Sequence, residues 1–202
     1  VPDYRLDKLV EAYHPRSIIP AVTQFVDIAG LVKGASQGEG LGNQFLTHIR
    51  ECEAIMEVVR CFEDENIVHV HGSVDPLRDV EIIETELLLK DLDSVEKRLV
   101  TETKNARTGG ASAKARLEAC ENLKNAMSEG TPARKMLGTS DEMDSLISDL
   151  ALLTAKPVFY CANVGEDELL SGNAYVVKLR EYAESNNSAV VIKRKKIEEE
   201  LS

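Results

Sequence analysis

The chain has 202 residues, 43% of them hydrophobic, and carries a formal net charge of −11, which bounds it to one domain or one domain with a sizeable insertion. No apolar run approaches the roughly 18 residues that a bilayer span requires, and no signal-peptide pattern opens the chain, so a soluble protein is expected. The acidity argues against general nucleic-acid binding, and DNA binding in particular, because phosphate repulsion would dominate.

The charge is uneven. From Lys90 to Lys135 ten Lys and Arg stand against seven Asp and Glu, a mildly basic segment on an acidic protein. The four cysteines, Cys52, Cys61, Cys120 and Cys161, form no CxxC, and the last three lie in or beside apolar runs, which predicts buried reduced thiols in a cytosolic protein. His69 and His71 have no cysteine or carboxylate at ligand spacing, so no histidine-based metal site is expected. The chain opens at Val1 without Met and stops among charges at Ser202, as a portion of something longer would.

In chain order, Leu6, Leu9, Val10 and Tyr13 predict a helix over 5–14, ended by Pro15. Val22, Phe25, Val26 and Ile28 predict a strand over 21–28 that runs into a loop, Gly30–Gly42, with five glycines in thirteen residues. That loop is either a phosphate-proximal switch or a flexible connector. A short helix follows at 43–51, then a near-continuous apolar run at 54–62, as expected of a buried parallel strand.

A long helix begins near Val80, with Leu88, Leu92, Val95 and Leu99 as its seam. Thr108-Gly109-Gly110 breaks it, and a second helix over about 112–127 makes an antiparallel hairpin with the first. Ser140 opens a further helix at 143–153. A strand at 157–162 ends at Asn163, a helix spans 175–184, and a last strand covers 189–192. Strands alternating with helices predict a parallel sheet covered on both faces.

In such a sheet the ligand sits beyond the carboxyl ends of the strands. The first predicted strand ends in Asp27-Ile28-Ala29-Gly30, a DxxG; the second in Arg60-Cys61-Phe62; the third in Asn163-Val164-Gly165-Glu166. DxxG alone is weak, but with a Gly-rich loop behind it and Asn-x-x-acid at a later strand end it points to a nucleotide. A carboxylate at Asp27 can hold Mg²⁺ through its water shell, and Gly30 lets a backbone N–H approach a γ-phosphate. Asn163 can offer its amide to the purine N7 edge. Glu166 stands where a GTPase has an Asp for guanine's two N–H donors; adenine lacks both. The rival for Asn163 and Glu166 is a helix-capping pair.

The run Val26-Asp27-Ile28-Ala29-Gly30-Leu31-Val32-Lys33-Gly34-Ala35-Ser36, followed by Gly38-Glu39-Gly40-Leu41-Gly42-Asn43, resembles the switch II signature of the YchF (Obg-like ATPase) family. The resemblance continues in order through Val58–Glu63, Asp75-Pro76, Thr85–Leu87, Leu153–Pro157 and Ala162-Asn163-Val164, covering nearly the whole chain. It implies a three-layer, Ras-like P-loop NTPase domain over 1–80 and 150–202, with an antiparallel α-helical coiled-coil hairpin inserted at 81–149. It also implies ATP preferred over GTP, association with ribosomes and a cytoplasmic protein; the basic hairpin is a candidate RNA contact or a solvated face. Family members carry a further C-terminal TGS-type domain.

Two departures stand out. The family's GxxxxGK[ST] P-loop would precede Val1, so this chain alone is expected to be inactive. Lys193-Arg194-Lys195 replaces a small turn near the base. Leu31 occupies the position of the Gln that orients water in Ras-type enzymes, so intrinsic hydrolysis should be slow; the resemblance points instead to His69, which the flanking Val68 and Val70 could equally pack at a strand edge. The competing class is a non-catalytic ribosome- or protein-binding module without a functional P-loop.

Overall fold

The computed structural model describes residues 3–27, 48–64, 67, 69, 72–165, 168 and 172–194. Strands β1 (Ile55–Arg60), β2 (Val158–Val164) and β3 (Ala189–Arg194) form a parallel sheet in that order. Ile55 lies opposite Val158 and Arg60 opposite Asn163; Phe159 lies opposite Ala189 and Val164 opposite Arg194. Side chains alternate along a strand, so this register puts Val59, Tyr160 and Ala162 on one face.

The helices described in full are α1 (Tyr4–Tyr13), α2 (Pro76–Thr108), α3 (Ala111–Ser128), α4 (Asp141–Leu150) and α5 (Ala174–Ser185). Four of these starts carry a side-chain cap. The Asp3, Asp75, Ser140 and Asn173 side chains accept N–H bonds from the first turns of α1, α2, α4 and α5, satisfying donors the helix itself cannot. Pro76 sits at the first helical position of α2, where its missing N–H costs nothing. Between α2 and α3 a Cβ on Gly109 would lie 2.7 Å from the Asn105 carbonyl oxygen and against the Ala113 Cβ, so the reversal requires glycine there.

Val80 of α2 and Val176, Leu179 and Ala183 of α5 cover the Val59–Tyr160–Ala162 face. A second core joins α2, α3 and α4 through Val95, Cys120, Leu123, Met127, Leu146 and Ile147. Arg116 of α3 binds Glu102 of α2 at 3.0 Å and also Asp149 of α4, so the three helices share one charge network around the buried Glu102. Asp91 of α2 ties that helix to the segment before β2. Its carboxylate, fully buried, accepts from the Leu153 N–H at 2.9 Å and from the Thr154 N–H and hydroxyl at 2.7 Å. Those amides open the 3₁₀ turn Leu153–Ala155, which feeds β2.

Two sequence expectations need correction. Residues 21–27 form no strand; Val22, Phe25 and Val26 are exposed, and residue 28 lies outside the described residues. A strand exists only through a neighbour's hydrogen bonds, and among the described residues nothing pairs with this stretch. Among the described residues α2 and α5 lie on the same face of the sheet, and Met56, Val58 and Val191 on the other are exposed. The helix predicted to reach Leu153 stops at Leu150, because Ala151 turns left-handed with φ 46°. Helix propensity cannot outweigh the turn that brings Leu153 and Thr154 to Asp91.

Asp91→Ala would strand three buried donors. It should cost on the order of 3 kcal/mol of unfolding free energy by urea titration, with Asp91→Asn, which keeps one acceptor oxygen, losing clearly less.

Candidate functional site

The carboxyl ends of the strands are Arg60, Val164 and Arg194, the edge where ligands gather in a parallel sheet. Asn163 sits one residue before the end of the central strand, in register with Arg60 and Lys193. Its side-chain Oδ1 is buried and has no hydrogen-bond partner, uncommon for a buried polar atom. Val164 behind it is fully buried and fixes the strand end. The N-cap of α5 is Asn173 and not Asn163.

Two residues that the sequence reading did not single out shape the loops here. The Asn173 Nδ2 donates to the Cys61 carbonyl at 2.6 Å and to the Glu168 carboxylate at 2.8 Å, while its Oδ1 accepts from the Val176 N–H at 3.0 Å. One side chain thereby ties the loop after β1, the loop after β2 and the start of α5. Glu168 also accepts from the Gly165 N–H at 3.3 Å. An Asn ahead of an apolar helix is a cap signature that could have found Asn173; Glu168 has no comparable signal.

Arg60 organises the segment that carries His69. Its guanidinium donates to the carbonyls of Phe62 at 3.1 Å, Ile67 at 3.0 Å and Asp64 at 3.3 Å, and its Cζ stands 4.8 Å from the Phe62 ring centre, within cation–π range. His69 is half-turned into the protein, its Nε2 2.9 Å from the Asp79 carboxylate in the first turn of α2. A carboxylate holding one ring nitrogen fixes the orientation of an imidazole. Burial, aided by the Cys161 thiol and nearby acids, pushes the Cys61 thiol up to about 12, so it remains a neutral thiol and no nucleophile.

Asp27 is exposed at the end of its stretch. Gly30, Leu31, the rest of the Gly-rich loop and Glu166 lie outside the described residues. The structure thus brings Asn163, Val164 and Arg60 together at one strand edge and links Arg60 to the segment before His69.

Arg60→Lys would replace a three-armed fork with a single point donor. Stability should fall by roughly 1–2 kcal/mol, and amide hydrogen exchange should speed up at the described positions between Cys61 and Asp75 while β2 and β3 keep their protection.

No family model matches the chain. It is 48% identical to the ribosome-binding ATPase YchF of Bacillus subtilis, over all of this chain and 56% of that protein. It is 49% identical to the Escherichia coli O157:H7 protein of the same name, over 95% of this chain and 52% of the other. Obg-like ATPase 1 of Schizosaccharomyces pombe is 45% identical over 93% of this chain and 49% of its own. A solved structure, that of the Schizosaccharomyces pombe YchF GTPase, aligns with a TM-score of 0.80 and 40% identity over the whole of this chain and 55% of that one. The chain spans about half the length of the curated relatives it matches.

Proposed function

The chain belongs to the YchF (Obg-like) ATPase family, and from that premise we propose that the whole protein is a ribosome-associated P-loop NTPase that hydrolyses ATP slowly and prefers it to GTP. The observation that carries the reading is the buried, unpartnered Oδ1 of Asn163 at the end of the central strand. An Asn amide matches the N7 acceptor and N6 donor of adenine with two antiparallel bonds. Guanine presents two acceptors on that edge, so Oδ1 would stay unpaired against it, and an unpaired buried acceptor costs roughly 1–3 kcal/mol. Glu166, in place of the Asp that reads guanine's donors, acts in the same direction.

Asp27 is the residue that would hold Mg²⁺, through water. Its carboxylate is exposed, which fits an ion that keeps most of its hydration; Mg²⁺ when bound neutralises the phosphates. Gly30 lies beside the γ-phosphate in this reading, and Leu31 leaves the usual water-orienting position empty of function. His69 takes over that role, oriented by Asp79. The phosphate-binding amides and Lys come from a P-loop outside the chain's 202 residues, so the chain by itself binds ATP weakly and does not turn it over.

The test is turnover and affinity in the full-length protein. His69→Ala should lower ATP hydrolysis by about 10–100-fold, the scale of a lost acid–base or positioning group, with ATP affinity nearly intact. Asn163→Ala should instead weaken ATP binding and narrow the ATP-over-GTP ratio. If His69→Ala left turnover unchanged, His69 would be a packing residue and the water would be placed by other means.

Residues 81–149 form, in this proposal, a coiled-coil hairpin inserted in a nucleotide domain made of 1–80 and 150–202, and the hairpin touches ribosomal RNA. Lys104, Arg107 and Lys114, near the Gly109-Gly110 reversal, are exposed, whereas Lys97, Arg98 and Arg116 are engaged by acids. Unpaired basic groups at one end are the kind that neutralise phosphate. Changing all three to Glu should reduce co-sedimentation with ribosomes several-fold at moderate salt, while nucleotide affinity stays as it was.

A further inference from the structure

A cavity of about 200 Å³ lies on the covered face of the sheet, away from the strand ends, with Glu57 of β1, Glu81 and Glu84 of α2, Arg134 and Tyr182 of α5 among its walls. Glu57 enters it because of register: it lies opposite Tyr160 and shares its face with Val59. The hydrogen bonding of the walls is uneven. Glu84 is saturated, accepting from the Tyr160 hydroxyl at 3.0 Å, the Tyr182 hydroxyl at 3.1 Å and the Arg134 Nη2 at 2.8 Å. Glu57 is only 5% exposed, yet neither of its oxygens has a partner.

A buried carboxylate without donors is among the costliest arrangements in a protein interior. Arg134 is the nearby cation, but Glu84 holds its Nη2, and its Nε is itself unpartnered. Three carboxyl groups therefore face one guanidinium around a space far larger than the ~15 Å³ that one water needs. Leu87, Leu88 and Leu153 give another part of the wall an aliphatic surface, beside Thr85 and Thr154.

We propose that this cavity binds a small organic cation, an alkylguanidinium or alkylammonium group, whose N–H donors pair with both Glu57 oxygens while its stem lies along Leu87, Leu88 and Leu153. Two parallel N–H···O bonds to one carboxylate are the strongest pairing open to such an oxygen pair, and a hydrocarbon stem matches the apolar wall. The site lies apart from the strand-end residues assigned to the nucleotide, so it does not rest on that assignment.

Protons decide when the site is ready. Burial, reinforced by the Glu84 charge and opposed by Arg134, raises the Glu57 carboxyl to about 8. The groups facing it are Glu84 and Glu81 on α2, Arg134 in the turn, Tyr160 on β2 and Tyr182 on α5. Burial pushes both tyrosine hydroxyls up, keeping them neutral. Below pH 8 the empty site holds a proton on Glu57 that an entering cation must expel. Affinity for a permanently charged guanidinium should thus rise from pH 6 to 8 and level off above.

The test is calorimetric titration of n-butylguanidinium into the full-length protein, with n-butylurea as the uncharged isostere and a blocked arginine amide to represent a partner's side chain. Saturable binding of the guanidinium, release of close to one proton at pH 6.5 by comparison of two buffers, and a loss of at least ~10-fold in Glu57→Gln are expected. Tighter binding of the blocked arginine than of n-butylguanidinium would assign the site to a partner's side chain; the reverse order would assign it to a free small molecule. Equal binding of n-butylurea, an affinity flat from pH 6 to 9, undiminished binding in Glu57→Gln, or no saturation at tens of millimolar would each overturn the proposal. Should Glu57→Gln fail to fold, proton release from the unaltered protein decides alone.

Discussion

The Asp91 carboxylate holds this fold in register. Strands β1 and β2 are parallel neighbours, so the chain must leave the sheet at Arg60 and return at Val158 on the same side of the ladder, which only a long crossover allows. Here the crossover contains three helices, and nothing in the sheet dictates where so large a detour rejoins. Asp91 does: it binds the amides that open the turn before β2, and Thr154 in that turn accepts from the Ala133 N–H at 3.1 Å. Lys156 adds a second tie by donating to the carbonyls of Arg50 and Cys52, just ahead of β1. The amino ends of the two strands are thereby locked together. Their carboxyl ends, where the candidate site lies, rest on the Arg60 fork and the Asn173 amide, so the loops can differ in shape without disturbing the sheet.

Three buried carboxyl groups meet the cost of desolvation in three ways. For Glu102, burial opposes ionisation, but bonds from Arg98, Arg116 and Asn105 outweigh it and hold the group below its ordinary range. For Asp91, burial wins over the neutral donors of Leu153 and Thr154, and the group is raised. Glu57 has no donors and rises to about 8. The order follows from the partners: cationic donors stabilise a carboxylate more than neutral ones, and neutral ones more than none. Glu102 is thus a charged rivet among three helices. Asp91 works through directed hydrogen bonds, and Glu57 is the one of the three whose bonding is left open by the fold.

How much of this could be read from the residues depended on whether the signal was local. The Ser140 start was legible, since Ser before two acids is local chemistry, whereas the long helix was expected near Val80 and begins at Pro76, capped by Asp75. The three paired strands were legible as apolar runs, and Asn163 as the residue ending the central one. The stretch 21–27 has the composition of a strand but lacks a paired neighbour among the described residues, and pairing is a property of two segments. Glu57 was passed over because the run from Ala54 to Phe62 reads as continuously apolar; only the register with β2 reveals that it points under the helices while Met56 and Val58 point away. The Arg60 fork was invisible for a similar reason: its three acceptors are backbone carbonyls, which every sequence supplies.

Asn163 and Glu57 show what an unpaired oxygen costs when it is neutral and when it is charged. Both are buried without a partner, on opposite faces of one sheet, because Asn163 lies opposite Arg60 and Glu57 opposite Tyr160. A neutral amide oxygen without a donor costs a modest desolvation penalty that does not vary with pH, so it can wait in place and recognise a donor through geometry alone. An unpaired carboxylate costs far more and escapes by taking up a proton. A ligand of Asn163 gains a hydrogen bond and displaces no proton from the amide. A cation at Glu57 must do electrostatic work against a bound proton, so whatever that cavity takes up is coupled to pH in a way the strand-end site is not.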